Sequence, residues 1–154
     1  MIATSALAAH QTAMLADWGA TWLFLNDTLV PDETQRTQLE VRGVPVVTGA
    51  VAALQGEGDT LELVLHDGRT FALDGVFITT QTEISPLVTQ LACATNDGPF
   101  GRLLAVDATQ ATTVPGVFAC GDSANPAASV VLAAASGAMA GVVTHRSLIF
   151  GLGS

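Results

Sequence analysis

The run Val114-Pro115-Gly116-Val117-Phe118-Ala119-Cys120-Gly121-Asp122, followed closely by a small-residue helical pattern from about Ser129 to Phe150, constrains this chain more than any other feature. A short apolar strand from Gly116 to Cys120 is expected to end at Gly121, where the lack of a Cβ leaves room for a close ligand. Asp122 then stands as a fixed acceptor for hydroxyl groups. The helix begins beside it. Its first amides, near Ser129, Val130 and Val131, have no intrahelical partner and carry partial positive charge, so an electron-rich carbonyl is their natural counterpart. Taken singly, a Gly-Asp pair is an ordinary turn and a small-residue helix an ordinary tight packer; their order and spacing give the block its meaning.

The rest of the chain alternates. Ala6 to Asp17 reads as a helix closing near Gly19, and Thr21 to Leu25 as a short buried strand bounded by Asn26-Asp27. Pro31 and Asp32 open a second helix through about Val41, and Gly43 ends it before a strand at Val44 to Val47. From Thr48 to Leu73 the apolar period changes to two, with Asp67-Gly68 as a hairpin turn, which predicts an antiparallel meander. Val76-Phe77-Ile78 reads as a buried strand returning to the main sheet. Between Gln81 and Thr113 the pattern predicts a short helix at Pro86 to Leu91 and an irregular loop around Asn96-Asp97-Gly98-Pro99.

Composition excludes some partners. Fourteen acidic side chains stand against five arginines and no lysine, for a net charge of −9, which argues against nucleic acid or an anionic membrane surface. No apolar run is long enough to span a bilayer, and the first residues lack the basic start of a secretory signal, so a cytoplasmic address is expected. Cys93 and Cys120 are far apart and form no C-x-x-C, so they read as small buried hydrophobes rather than metal ligands.

The T-x-V-P-G-V-F-A-C-G-D run, the Ala134-Ala135-Ser136-Gly137-Ala138-Met139-Ala140-Gly141 helix and the distance between them resemble the C-terminal FAD-binding motif of the thioredoxin-reductase-like flavoproteins, within the pyridine nucleotide-disulfide oxidoreductases. The resemblance extends over nearly the whole chain. It implies an α/β fold: residues 1–80 a truncated, Rossmann-like NAD(P)-binding subdomain with an antiparallel meander, and residues 81–154 the C-terminal part of an FAD-binding domain. It further implies that Gly121 and Asp122 contact the ribityl chain or adjoining phosphate of FAD, with Ser129, Val130 and Val131 against the pyrimidine side of the flavin.

The same comparison identifies departures. The family's FAD-binding βαβ unit and redox cysteine pair have no counterpart here, and no catalytic residue is assigned; His145, His10 and His66 are expected to be peripheral. Ile2-Ala3-Thr4-Ser5-Ala6-Leu7-Ala8 occupies the place of a Gly-rich dinucleotide turn, with Ala3 and Ser5 where glycines belong, and Asn26-Asp27 stands where arginines would meet a 2′-phosphate. NAD(P) is therefore not expected. A retained fold with an eroded nicotinamide site looks like the dithiol-oxidase branch, as do His10-Gln11-x-x-Met14-Leu15-x-Asp17-Trp18-Gly19 and Ala140-Gly141-x-x-x-His145-Arg146-Ser147-Leu148. Three readings follow: the C-terminal portion of a flavin-dependent thiol/disulfide oxidoreductase acting on a small-molecule or protein dithiol, weak or inactive alone; a non-catalytic binding or assembly module; or a chain completed by an N-terminal FAD-unit partner or by homo-oligomerisation.

Overall fold

Helix α2 (Glu33–Val41) shows how local chemistry sets this fold. Asp32 accepts from the Gln35 amide at 2.8 Å while its own amide donates to the Gln35 side chain at 3.0 Å, a reciprocal cap that starts the helix. Its end is equally local. Gly43 takes φ +66°, and the amides of Gly43 and Val44 donate back to Glu40 and Leu39, closing the last turn.

The computed structural model describes residues 1–57, 60–80, 82–98, 100–127 and 129–151. They fall into two compact units, Met1–Thr80 and Gln81–Ser154.

In the first unit, β1 (Leu23–Phe24) pairs in parallel with β2 (Val46–Val47), and Ile2 bridges in parallel to Phe24 on one side and Ile78 on the other. Helix α1 (Leu7–Leu15) follows the Ile2 segment, and α2 links β1 to β2. Because neighbouring strand residues face opposite ways, Met1, Ala3 and Leu23 pack with Ala8, Ala9 and Ala13 of α1 and with Leu39 of α2. Ile2, Phe24 and Val47 face the other side, against Leu63 and Leu65. The alanines of α1 let its backbone lie close to the sheet.

The side carrying Leu63 belongs to a three-stranded antiparallel meander of β3 (Val51–Glu57), β4 (Thr60–Leu65) and β5 (Thr70–Leu73), as the period of two predicts. Gly68 at φ +88° serves the β4–β5 turn. Phe71 of β5 meets Phe24 edge-on with ring centroids 5.0 Å apart, joining meander and parallel sheet. The returning segment at Val76 to Ile78 differs from expectation. It forms a single bridge, and Phe77 and Ile78 are exposed, because the strand beside it is only the Met1–Ala3 segment. The expected strands Thr21–Leu25 and Val44–Val47 likewise shrink to their paired cores, and Trp22 is partly exposed.

In the second unit, Ser85 caps α3 (Pro86–Gln90). The irregular loop expected around Asn96 is instead an antiparallel hairpin of β6 (Thr95–Gly98) and β7 (Gly101–Leu104), held because Gly101 adopts φ +113° beside Gly98; Pro99, like Gln81, lies outside the described residues. The strand expected from Gly116 to Cys120 does not form. Phe118 makes one antiparallel bridge to Ala111, while Val117 donates to Val114 around a Pro115-Gly116 turn with Gly116 at φ +82°. A proline lacks the amide a ladder needs, and the turn uses up the residues that would have paired. A 3-10 turn at Gly121–Ser123 and the long helix α4 (Val130–Phe150) complete the unit.

Candidate functional site

Gly121 is held against α4 by two features. Its φ of +68° is the left-handed conformation that L side chains rarely adopt. Its amide donates to the Ser136 hydroxyl at 2.9 Å, and Ser136 in turn donates to the Ala133 carbonyl at 3.1 Å. A Cβ built on Gly121 would stand 3.6 Å from the Ala133 Cβ, an ordinary contact, so the glycine answers to backbone conformation rather than crowding. The Gly121 carbonyl accepts from the Ala124 and Asn125 amides, which folds the following turn tightly.

Asp122 is exposed, and its carboxylate has no hydrogen-bond partner among the described residues. Ser129 is the N-cap of α4 in extended backbone geometry, but its hydroxyl makes no capping bond. The first i to i−4 bond of the helix runs from Ala133 to Ser129 at 2.8 Å, so the amides of Val130, Val131 and Leu132 precede the ladder. Val130 and Val131 are strongly exposed, at 88% and 75%. The chain thus offers a free carboxylate and unpaired helix-start amides from one turn-and-helix element, the donor and acceptor set that a polyhydroxylated, carbonyl-bearing cofactor requires. These residues fit FAD by their chemistry.

Ser136 escaped the sequence reading. The signal was present, since it is the one hydroxyl among the small residues from Val130 to Gly137, but only the fold reveals that it fastens the glycine turn. Cys120 and Cys93 are half-buried free thiols rather than buried hydrophobes, because Cys120 lies beside the open turn and Cys93 reaches the Thr112 hydroxyl at 3.8 Å. His145 and His66 are exposed, and His10 borders a shallow hollow with Gln38 and Arg42.

The turn at Ala3-Thr4-Ser5 is tied to the chain itself. Thr4 donates to the Thr79 carbonyl, Asn26 donates to the Ala3 carbonyl at 3.3 Å and accepts from the Val51 amide at 2.9 Å, and Thr79 donates to Gln11. Ala3 is fully buried and the Ser5 hydroxyl is buried without a partner. Polar groups at this turn are thus engaged by the chain's own atoms, while Thr4 and Ala6 remain exposed.

Among the described residues no cluster of His, Cys, Asp or Glu could hold a metal ion, and no helix is long and apolar enough to cross a membrane. The family described as pyridine nucleotide-disulphide oxidoreductase matches residues 24–140. An oxidoreductase from Agrobacterium tumefaciens superposes with a TM-score of 0.82 and 43% identity, over 97% of this chain and 50% of that one. A putative thioredoxin reductase TrxB from Bacillus anthracis shares the fold, with a TM-score of 0.75 and 23% identity over 96% of this chain and 50% of that one. The ferredoxin–NAD(+) reductase component of a biphenyl dioxygenase system from Paraburkholderia xenovorans (strain LB400) is 37% identical over 93 residues, which are 58% of this chain and 21% of that protein. This chain spans about half the length of those solved structures.

Proposed function

Because the chain belongs to the pyridine nucleotide-disulphide oxidoreductase family and has a thioredoxin-reductase-like fold, we propose that it is the C-terminal part of a flavin-dependent thiol/disulfide oxidoreductase of the dithiol-oxidase type, working in the cytoplasm. The observation that carries this reading is the Gly121 turn clamped to α4 by Ser136, with Asp122 left exposed. Asp122 would accept from ribityl hydroxyls, and the Val130 and Val131 amides would donate to a flavin carbonyl. Ser136 positions this pair by fixing the turn to the helix. FAD, when bound, supplies the two-electron chemistry of dithiol oxidation. The turn at Ala3 to Ser5 supports a cycle without NAD(P), since its polar groups are engaged by Thr79 and Asn26.

Thiol exchange needs a C-x-x-C pair, which these 154 residues do not contain, so turnover draws on a pair held outside them. The exposed apolar residues of α4, among them Val142, Leu148 and Phe150, support a partner, either an FAD-binding unit or a second copy. They equally suit a non-catalytic assembly module, and cofactor binding separates the two readings. Titration of the 154-residue chain, alone and with an FAD-binding unit, is expected to show flavin uptake by visible absorbance. Asp122→Ala is expected to weaken uptake about tenfold, the worth of one charge-assisted hydrogen bond. A chain that takes up no flavin in either form refutes the oxidoreductase reading and leaves the assembly module. Uptake unchanged by Asp122→Ala refutes the role of that residue.

A further inference from the structure

The chain entering the Gly121 turn is fixed at a second point besides Ser136. The Ala119 amide donates to the Gln110 carbonyl at 3.0 Å, two residues before the Gly121 amide reaches the Ser136 hydroxyl, and Cys120 between them is extended at φ −149° and ψ 173°. Two anchors separated by one extended residue leave the Asp122 turn little freedom. Its position therefore depends on Gln110 as well as on α4.

Gln110 begins the segment on which that approach is laid. The Thr112 amide and hydroxyl both donate to the Val117 carbonyl at 2.9 Å, and Ala111 bridges antiparallel to Phe118. The segment is held in turn by Asp107. Its Oδ1 accepts from the Thr109 amide at 2.8 Å, the Thr109 hydroxyl at 2.7 Å and the Ala111 amide at 3.0 Å. The Asp107 amide donates to the Ala111 carbonyl and the Gln110 amide to the Asp107 carbonyl, each at 3.0 Å. A carboxylate that gathers donors from its own following residues fastens a turn.

Inside this turn sits a strained residue. Gln110 takes φ +66°, the left-handed conformation that a residue with a Cβ keeps only where its surroundings enforce it. The enforcement comes from both sides, since Asp107 binds the amide of Ala111 just after Gln110 and accepts on its carbonyl from Gln110 itself. Asp107 and Thr109 are exposed, so their bonds shape the turn without filling the interior. Held in this way, Gln110 turns its carbonyl to the Ala119 amide.

We propose that Asp107 is a positioning residue of the candidate flavin site: by holding Gln110 in the left-handed conformation it sets the carbonyl that anchors Ala119, and so aims the Gly121-Asp122 turn. Asp107 acts through Gln110 and Ala119 and touches no cofactor itself. The consequence for flavin rests on the proposed function above. The anchoring does not, because every group in it lies within residues 107–136 of one unit.

Backbone amide hydrogen exchange of the 154-residue chain without flavin tests the anchoring. Asp107→Ala is expected to speed exchange of the Ala119 amide about tenfold and of the Gly121 amide about threefold, while the Ala140 amide within α4 keeps its rate. Asp107→Asn retains an oxygen able to accept the same three bonds and should recover most of the protection. Gln110→Gly takes φ +66° without steric cost, so in that background Asp107→Ala should speed Ala119 exchange by about threefold or less. Flavin uptake in the presence of an FAD-binding unit should fall about three- to tenfold in Asp107→Ala and follow Ala119 exchange across the variants. An Ala119 rate unchanged by Asp107→Ala, or raised together with that of Ala140, overturns the proposal. So does undiminished flavin uptake by a variant whose Ala119 amide exchanges fast. A parent chain that takes up no flavin refutes the flavin reading instead, and the exchange rates still decide whether Asp107 anchors the turn.

Discussion

Gly121→Ala tests whether the glycine turn is held for its conformation. At φ +68° an L residue costs about 1–2 kcal/mol relative to glycine, and the lower entropy of alanine in the unfolded chain returns about 0.4–1 kcal/mol. The new methyl meets Ala133 at 3.6 Å and adds no clash, so a net loss of about 1 kcal/mol is expected. Ser136→Ala removes the acceptor of the Gly121 amide, about 1 kcal/mol for a half-buried bond, less about 0.5 kcal/mol because alanine is the better helix former. The two changes share one hydrogen bond. The double variant should therefore lose less than the sum, by about 0.5 kcal/mol or more. The probe must be chosen by position. Trp18 and Trp22 both lie in Met1–Thr80, so indole emission does not report on this turn, whereas circular dichroism at the helix band includes the 21 residues of α4, the longest helix described. Urea titrations followed in that band supply the four corners of the cycle. Strict additivity would refute the clamp, and a Gly121→Ala loss above about 3 kcal/mol would show that crowding, not backbone conformation, selects the glycine.

Leu63→Ala empties a fully buried position between the meander and the parallel sheet and should cost about 2–5 kcal/mol, read by urea titration of Trp emission. Gly101→Ala combines φ +113° with a Cβ driven into the Thr82 backbone, so a loss above about 3 kcal/mol is expected, seen as a lost cooperative transition of the hairpin unit in thermal circular dichroism. The Thr109 hydroxyl first, and then the Ala111 and Thr109 amides, hold the Asp107 carboxyl below its ordinary range. A depressed folded-state pKa gives stability that is full above the unfolded carboxylate range and is lost as pH falls through the folded value. Asp107→Asn should therefore lower Tm at pH 7, with the difference from the parent shrinking below about pH 4.

What could be read from the sequence was decided by how local its cause is. The α2 start at Asp32, its stop at Gly43 and the meander's alternation through Leu63 and Leu65 need only neighbouring residues, and all three match the structure. The β6–β7 hairpin was hidden because Thr95-Asn96-Asp97-Gly98 has no apolar period; its pairing rests on Gly101 taking a conformation no pattern announces. The expected strand before Gly121 failed for the opposite reason. Val117 and Phe118 look apolar enough, but Pro115-Gly116 turns the chain, and Thr112 captures the Val117 carbonyl with its amide and its hydroxyl. Of the candidate site, Gly121, Asp122 and the start of α4 were legible as a motif, whereas Ser136 becomes meaningful only once a helix turn is laid beside the glycine.

Burial divides unevenly along the chain, and that division bears on function. Met1–Thr80 contains fully buried Leu23, Phe24, Leu39, Leu63 and Leu65, whereas the buried apolar side chains described beyond residue 80 are Leu103, Leu104 and Ala140. Yet α4 is almost wholly apolar from Val130 to Val143, a composition that in water belongs to a buried helix, with Thr144 to Ser147 its polar interruption. A helix of this kind gains most of its stability from packing rather than from propensity, and its Val130, Val131, Val142, Leu148 and Phe150 are exposed apolar surface. The first two stand at the helix start, where the proposed flavin contacts lie. On the proposed reading, covering α4 would also complete the cofactor site, because whatever shields the helix start from water would strengthen the interaction of its amides with a flavin carbonyl in the lower dielectric.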